Sequence, residues 1–131
     1  MSIFQSEIIL VEPDFISTRI MEIMLSSIGY TGKLSTFDVA SKAAGYLDAL
    51  PPEREKTIGL FIEPYPNEAA ALDLLQAVDA LRFELKLRTF ILSSNILAKD
   101  KYQSYTGVEE VFLKPMSLDR LRGLLMVEPG S

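Results

Sequence analysis

Thr57-Ile-Gly-Leu-Phe-Ile-Glu63-Pro-Tyr-Pro-Asn67 is the segment around which the rest of the chain is predicted to fold. Its apolar run, Ile58 to Ile62, is typical of a strand that is buried on both faces of a sheet. The run ends at the carboxylate of Glu63, and the prolines that follow cannot continue a hydrogen-bonded ladder. In open parallel α/β sheets, functional sites lie just outside the carboxyl ends of the strands. Glu63 is therefore a site candidate, with a solvated glutamate that merely ends a strand as the alternative.

The composition predicts one globular domain over residues 1–131, with a core at about 7–126. The chain is 48% hydrophobic and 24% charged, which excludes a disordered polymer. Its net charge is −5 and its basic residues do not cluster, so neither nucleic acid nor a membrane is an expected partner. With no cysteine or histidine, disulfides, Cys/His zinc sites and imidazole-based hydrolase triads are excluded. The first residues carry no basic or long apolar segment, so a cytoplasmic protein is expected.

Short apolar runs alternate with helical patterns on both sides of the central strand. Besides the central strand, the strands predicted from these runs are Ile8–Val11, a weak one at Tyr30–Leu34, Thr89–Leu92 and Val111–Leu113. The spacings are too long for hairpins, so the strands must run parallel, with crossovers between them. The pattern predicts an α/β, flavodoxin-like, doubly wound sheet of five strands in the order 2-1-3-4-5, with helices on both faces.

Capping residues and apolar periodicity predict the helices. Asp14, Asn67 and Ser117 are expected to cap the first, third and last helices, and Ser35 or Thr36 the second. Residues at helical spacing are expected to face the core: Ile16, Ile20, Ile23, Met24 and Ile28 in the first helix; Phe37, Ala40, Ala44, Leu47 and Leu50 in the second; Ala71, Leu74, Leu75, Val78 and Leu81 in the third; and Leu118, Leu121, Leu124 and Leu125 in the last.

The connecting segments are read from their glycines, prolines and charges. Gly29 is expected to end the first helix, and residues 53–56 are expected to form a charged surface loop. Residues 83–87 either extend the third helix or return to the sheet. A short helix at 98–105 is expected to end at Gly107, and residues 126–131 are expected to be a frayed tail.

The predicted strand order brings polar residues from four strand ends to one crevice. They are Glu12 and Asp14 after the first strand, Glu63 after the third, Ser93 at the end of the fourth and Lys114 after the fifth. This combination of an acidic loop, a central acid, a hydroxyl and a Lys-Pro step is much more specific than any one of its members.

With these residues the chain resembles the receiver domains of two-component response regulators, including the single-domain chemotaxis type. The resemblance covers nearly the whole chain and rests on Val11-Glu-Pro-Asp14, Glu63, Leu92-Ser-Ser94 and Phe112-Leu-Lys-Pro115. It implies an acidic loop at Glu12 and Asp14, a phosphoacceptor position at Glu63, a phosphoryl-binding hydroxyl at Ser93 and the family's lysine at Lys114. The implied cofactor is Mg²⁺ on Glu12 and Glu63. The implied partners are a histidine kinase, a phosphotransfer protein or a downstream target.

Four departures from the family pattern predict an impaired site. The acceptor is Glu63 rather than aspartate, and the extra methylene moves the carboxylate away from in-line geometry. Pro13 stands where a second acid usually binds the metal, so Mg²⁺ binding is expected to be weak or lost. The loop after Glu63 is short, and Val111 replaces the switching aromatic residue.

These departures favour a stand-alone, non-enzymatic signalling domain that acts by protein–protein interaction. An ion pair between Glu63 and Lys114 would imitate a phosphorylated site, with a simple residual salt bridge as the alternative. For Glu12 and Asp14, the alternative to metal binding is that they cap the first helix and interact favourably with its dipole. A functional phosphorelay receiver, phosphorylated on Glu63 or Asp14, is the second hypothesis. A small flavodoxin-like enzyme or flavin binder is the remote third, because no phosphate-binding loop follows the first strand.

A protein-binding face is predicted near the fourth helix. The residues assigned to it are Tyr102, Tyr105 and Val111, and the same face is a candidate for homodimer contacts. Scattered surface aromatic residues without any partner are the alternative interpretation.

Overall fold

The computed structural model of the protein describes residues 5–126. Residues 1–4 and 127–131, which include nearly all of the predicted tail, lie outside the described part. The elements in chain order are β1 (Gln5–Val11), α1 (Phe15–Ser27), β2 (Lys33–Phe37), α2 (Ala40–Ala49), β3 (Glu53–Ile62), α3 (Glu68–Leu81), β4 (Leu85–Ser93), α4 (Ala98–Tyr102), β5 (Val108–Leu113) and α5 (Leu118–Leu125).

The five strands form one parallel sheet in the order β2-β1-β3-β4-β5, which confirms the predicted topology. The register aligns the carboxyl ends: Val11 pairs with Ile62, and Ile62 pairs with Ile91. The ladder continues one step past the strands, since Glu63 N–H donates to the Val11 carbonyl over 2.9 Å. The residues that follow these strands are therefore held side by side.

Helices cover both faces of the sheet, as predicted. Alternate residues of β1 enter opposite cores, with Ile9 and Val11 on one side and Ile8 and Leu10 on the other. The first core includes buried residues of α2, α3 and α4, and the second those of α1 and α5. Phe61 and Phe90 stack in the second core with their ring centroids 5.1 Å apart. Every strand in the centre of the sheet is thus buried on both sides, which explains its continuous apolar run.

Two segments that were predicted to be a helix start and a surface loop belong to strands in the structure. β2 covers Lys33–Phe37, three residues later than expected, because Lys33 to Phe37 pair in register with β1. The proposed caps Ser35 and Thr36 therefore lie inside a strand, and α2 begins after Val39 without a side-chain cap. The predicted loop at residues 53–56 is the start of β3.

The extended start of β3 also shows which of the two alternatives for residues 83–87, a longer third helix or a return to the sheet, is correct. Glu53 N–H donates to the Glu84 carbonyl over 2.8 Å, and Glu53 pairs with Leu85. A turn at residues 82–84 follows α3, and Leu85 opens β4. The segment therefore returns to the sheet.

The helix starts at Asp14, Asn67 and Ser117 are confirmed, since each side chain accepts a hydrogen bond from a backbone N–H of its helix. Gly29 and Gly107 have φ values of 80° and 91°, the left-handed region that glycine occupies without strain. The predicted buried faces of α3 and α5 are broadly correct, although Leu118 is exposed. Phe37 was predicted to face the core from the second helix, but it belongs to β2. In α2, Ala43 rather than Ala44 is buried together with Ala40 and Leu47.

The predicted buried face of α1 is wrong for three of its five residues. Ile16, Ile20 and Ile23 are exposed, whereas Met21, Leu25 and Ile28 are buried. Both sets are spaced by three or four residues, so periodicity alone predicts either face. Only the packing against the sheet and α5 selects the second set.

Among residues 5–126, no helix is long and apolar enough to cross a membrane.

Replacing Asn67 tests how α3 is anchored beside the site. The Asn67 side chain accepts from the Ala70 N–H over 3.2 Å, and loss of such a cap costs about 1 kcal/mol. We expect Asn67→Ala to lower the free energy of unfolding in urea by that amount. Asn67→Asp keeps an acceptor and is expected to retain most of the stability; an equal loss in both variants would contradict the capping role.

Candidate functional site

The site lies at the carboxyl edge of the sheet, where a charged residue follows each of three strands. Glu12 follows β1, Glu63 follows β3 and Lys114 follows β5. Their backbones are fixed by the neighbouring strands: Glu12 N–H donates to the Phe37 carbonyl, and Lys114 N–H donates to the Ser93 carbonyl over 2.8 Å. The structure therefore brings together three of the five residues that the sequence assigned to the crevice.

The Lys114 ammonium group is the centre of this arrangement. It donates to the Glu12 carboxylate, to Glu63 Oε1 over 3.3 Å and to Ser17 Oγ over 3.3 Å. An ammonium group has three hydrogens, so these contacts match its full donor capacity. Ser17 was not predicted as a site residue; its position three residues after the Asp14 cap was the only signal that could have found it.

Glu12 is almost completely buried and its two oxygens are both engaged. One faces Lys114, and the other accepts from the Asp14 N–H over 3.1 Å. Burial raises the pKa of the Glu12 carboxyl above its usual value, and the charge of Glu63 acts in the same direction. The hydrogen bonds from Lys114 and Asp14 oppose this rise. Two carboxylates thus share one ammonium, and the site holds an excess of negative charge.

Glu63 presents one occupied and one unpartnered oxygen. Its Oε1 accepts from Lys114 and from the Ser94 N–H, each over 3.3 Å. Only 7% of the Glu63 side chain is exposed. Its Oε2 is buried and has no hydrogen-bond partner among residues 5–126. An unsatisfied buried carboxylate oxygen is costly and marks a place where function or a further ligand is to be sought.

Asp14 does not join the crevice. Its side chain caps α1 by accepting from the Ile16 N–H over 3.2 Å and from the Ser17 hydroxyl over 3.0 Å. The hydrogen bond from Ser17 is the largest cause that lowers the pKa of the Asp14 carboxyl. The capping role given as the alternative for Asp14 is the one that the structure displays.

Ser93 is completely buried, and its hydroxyl oxygen accepts from the Asn95 N–H over 3.1 Å. Within the described part of the chain this hydroxyl forms no hydrogen bond with the side chain of Glu63 or Lys114. The hydroxyl thus stabilises the turn after β4 in this structure.

The residues present do not fit Mg²⁺. This ion requires near-octahedral oxygen ligands, whereas Pro13 supplies no side-chain oxygen and Asp14 is engaged at the helix. The residues described form no cluster of three or more acidic, histidine or cysteine side chains that could hold a metal. The two remaining carboxylates, Glu12 and Glu63, share the ammonium of Lys114, which a divalent cation would have to displace.

The predicted interaction face needs correction. Tyr102 is fully buried and Val111 nearly so, which leaves only Tyr105 partly accessible. The Tyr102 hydroxyl donates to Glu68 over 3.0 Å, and Lys101 pairs with the same carboxylate over 2.7 Å. The short helix α4 packs its tyrosine into the core, where it ties α4 to the start of α3. Five residues are too few for periodicity to reveal this orientation.

An apolar pocket of about 270 Å³ adjoins the charged site. Glu12, Ser17 and Lys114 form its polar end. Its apolar wall comes from β1, α1, β4 and the segment after β5, namely Leu10, Ile20, Met21, Met24, Leu92, Pro115 and Met116.

No protein-family model and no curated protein matches the chain. Solved structures do match it. A response regulator receiver protein from Dyadobacter fermentans DSM 18053 is 21% identical, with a TM-score of 0.70, and the match covers 91% of this chain and 94% of that one. A two-component response regulator from Legionella pneumophila is 15% identical, with a TM-score of 0.73 and coverages of 92% and 98%.

A third similar structure is the receiver domain of a sensor histidine kinase from Pseudomonas aeruginosa PAO1, which has a magnesium ion coordinated in its active-site cleft. It is 20% identical, with a TM-score of 0.65, and the match covers 92% of this chain and 94% of that domain. These likenesses show the fold: the chain has the flavodoxin-like fold of response regulator receiver domains.

Removing the ammonium group tests its place at the centre of the site. Lys114→Met leaves two adjacent, largely buried carboxylates without a counter-charge, and breaking such a group costs about 3 kcal/mol. We expect a loss of that size in urea unfolding at neutral pH. Lys99→Met, at an exposed position, is the matched control, and equal effects of the two substitutions would refute the assignment.

The pH dependence of stability tests the burial of Glu12. Because the pKa of Glu12 is raised above 4.5 in the folded protein, the folded state keeps this proton to higher pH than the unfolded chain does. Ionisation of Glu12 therefore opposes folding as the pH rises from 4.5 through the raised pKa. Relative to wild type, Glu12→Gln should gain stability over this interval in a series of urea titrations. Glu55→Gln, at an exposed position, is the control; a Glu12→Gln difference that is constant or falls with pH would contradict the prediction.

Proposed function

We propose that the chain is an atypical receiver domain of two-component signal transduction, whose core is residues 7–126 and which acts in the cytoplasm by binding protein partners. The partners are a histidine kinase, a phosphotransfer protein or a downstream target. It is a signalling module rather than an enzyme, and Glu63 is not phosphorylated in its working cycle.

The observation that carries this proposal is the contact of Lys114 with Glu63. In the receiver family that the chain resembles, the corresponding lysine pairs with the phosphoryl group on the acceptor. Here Lys114 Nζ lies 3.3 Å from Oε1 of the Glu63 side chain itself. The longer glutamate reaches the lysine that a phosphoaspartate would engage, with one negative charge in place of about two. The domain is therefore held in one state.

The chemistry of the site supports the absence of phosphorylation. Phosphoryl transfer depends on an in-line nucleophile and on a metal ion that neutralises the developing charge. The Glu63 oxygen that faces Lys114 is engaged, and the residues around it do not fit Mg²⁺. Positioning and charge neutralisation are both weakened, and these supply most of the catalysis in this type of reaction.

The unpartnered Glu63 Oε2 favours one second candidate, a working phosphorelay receiver. A free carboxylate oxygen is a potential nucleophile. In that case Glu63 accepts a phosphoryl group from a histidine kinase with Mg²⁺ and forms an acyl phosphate.

Phosphorylation with a small-molecule donor separates the two candidates. We expect the intact mass of the wild-type chain to stay unchanged after incubation with acetyl phosphate and Mg²⁺, because the acceptor and the metal site are both altered. An added mass of one phosphoryl group that disappears in Glu63→Gln would favour the phosphorelay instead.

A restored site is the positive control. The double variant Pro13→Asp and Glu63→Asp returns the second acid and the shorter acceptor to the crevice. We expect it to gain Mg²⁺-dependent labelling that neither single variant shows in full. Labelling of wild type to the same extent would overturn the proposed loss of the phosphorylation cycle.

A further inference from the structure

The outward face of α1 is the most apolar exposed surface of any helix among residues 5–126. Four large side chains project from it: Phe15 is 80% exposed, Ile16 67%, Ile20 50% and Ile23 52%. Isolated exposed apolar residues are normal on proteins, but a contiguous set on one helix face marks an interaction site. The three isoleucines are spaced by four and three residues, so they form one stripe along the helix.

Two opposite charges flank this stripe on the same side. Arg19 and Glu22 are three residues apart on α1, and within the described residues neither forms an ion pair or a side-chain hydrogen bond. At about 100° per residue both lie on the flank that is turned away from Ser17 and Met24, which face the pocket. The outward face thus offers an apolar stripe with one unpaired cation and one unpaired anion beside it.

We propose that this face joins two copies of the chain through an antiparallel α1–α1 contact about a two-fold axis near Ile20. A two-fold contact requires a self-complementary surface. In this arrangement Ile20 packs on its own copy, and Ile16 lies opposite Ile23 of the second copy. Arg19 lies opposite Glu22 of the second copy, and the symmetry repeats the pair on the other side of the axis.

A second copy fits this surface better than a membrane does. An interfacial helix gains its affinity for anionic lipid from several basic residues on its polar face, whereas α1 has only Arg19 and the chain carries a net charge of −5. The pocket beside Ile20, with Met24 and Met116 in its wall, extends the apolar surface beyond the helix. One helix of 13 residues forms a small interface, so a weak and concentration-dependent dimer is expected.

Sedimentation equilibrium of the whole chain tests the dimer directly. We expect wild type to shift from monomer to dimer between about 10 μM and about 1 mM, the range of weak associations. Ile20→Ser should raise the dissociation constant about tenfold, because it removes the central apolar contact. Ile96→Ser, at a residue that is 77% exposed elsewhere, is the matched control and should leave the dissociation constant unchanged.

Charge reversal tests the antiparallel geometry. Arg19→Glu and Glu22→Arg should each weaken the dimer, since like charges then face each other on both sides of the axis. An equimolar mixture of the two variants should associate at least as well as wild type, because a helix with two acids at these positions then meets a helix with two arginines. The double variant with both reversals should also recover. Neither position is buried, and thermal unfolding verifies that each variant is folded.

Several results would overturn the proposal. One is a wild-type chain that stays monomeric up to about 1 mM. Another is an Ile20→Ser variant whose dimer has the same dissociation constant as wild type. The third is a pair of charge-reversed variants that do not associate when they are mixed. A monomeric chain would leave the face to a different protein. The dimer does not depend on the state of Glu63, so the variant restored at positions 13 and 63 should associate like wild type whatever its phosphorylation shows.

Discussion

The contact of one ammonium group with two carboxylates, Lys114 with Glu12 and Glu63, is the constraint on which the carboxyl edge of the sheet depends. Three separate strands end in these charges, and the side chains lie where water has little access. A buried charge without a partner is strongly disfavoured, so both carboxylates depend on the ammonium group for electrostatic compensation. The ammonium therefore sets the geometry of the edge, and a metal ion would have to take its place to bind.

Much of the fold follows from local chemistry that one sequence displays. The run Ile58–Ile62 has to be buried on both faces, and an abrupt stop at Glu63-Pro64 places its end at the sheet edge. Capping side chains such as Asn67 and Ser117 form hydrogen bonds within three residues, so a short window of sequence contains both partners. The alternation of strands and helices suits a doubly wound sheet, and that fold pattern supplies the strand order. For the same reason, the sequence could predict that Glu12, Glu63 and Lys114 share one edge.

Other features depend on contacts that no short window contains. β2 lies where its hydrogen-bond register with β1 is satisfied, and Glu53 joins a strand because Glu84 and Leu85 lie beside it. The choice between the two apolar faces of α1 depends on α5, which lies at the other end of the described chain. Tertiary packing likewise leaves Glu63 Oε2 without a partner and buries Tyr102 with its hydroxyl hydrogen-bonded to Glu68. Residue type predicted that these side chains matter, but the tertiary contacts decide what each of them meets.

The charged site and the exposed helix face are physically connected. Ser17 accepts from Lys114 and donates to Asp14, so the first turn of α1 is hydrogen-bonded both to its own cap and to the ammonium at the sheet edge. Ile16 and Ile20 stand on the same turns as Ser17. Any change in charge that withdraws Lys114 from this contact would release the start of α1 from the sheet edge. Glu12 and Glu63 both accept from Lys114, so the first turn of α1 stays hydrogen-bonded to the sheet edge while the isoleucine stripe on its outward side remains exposed.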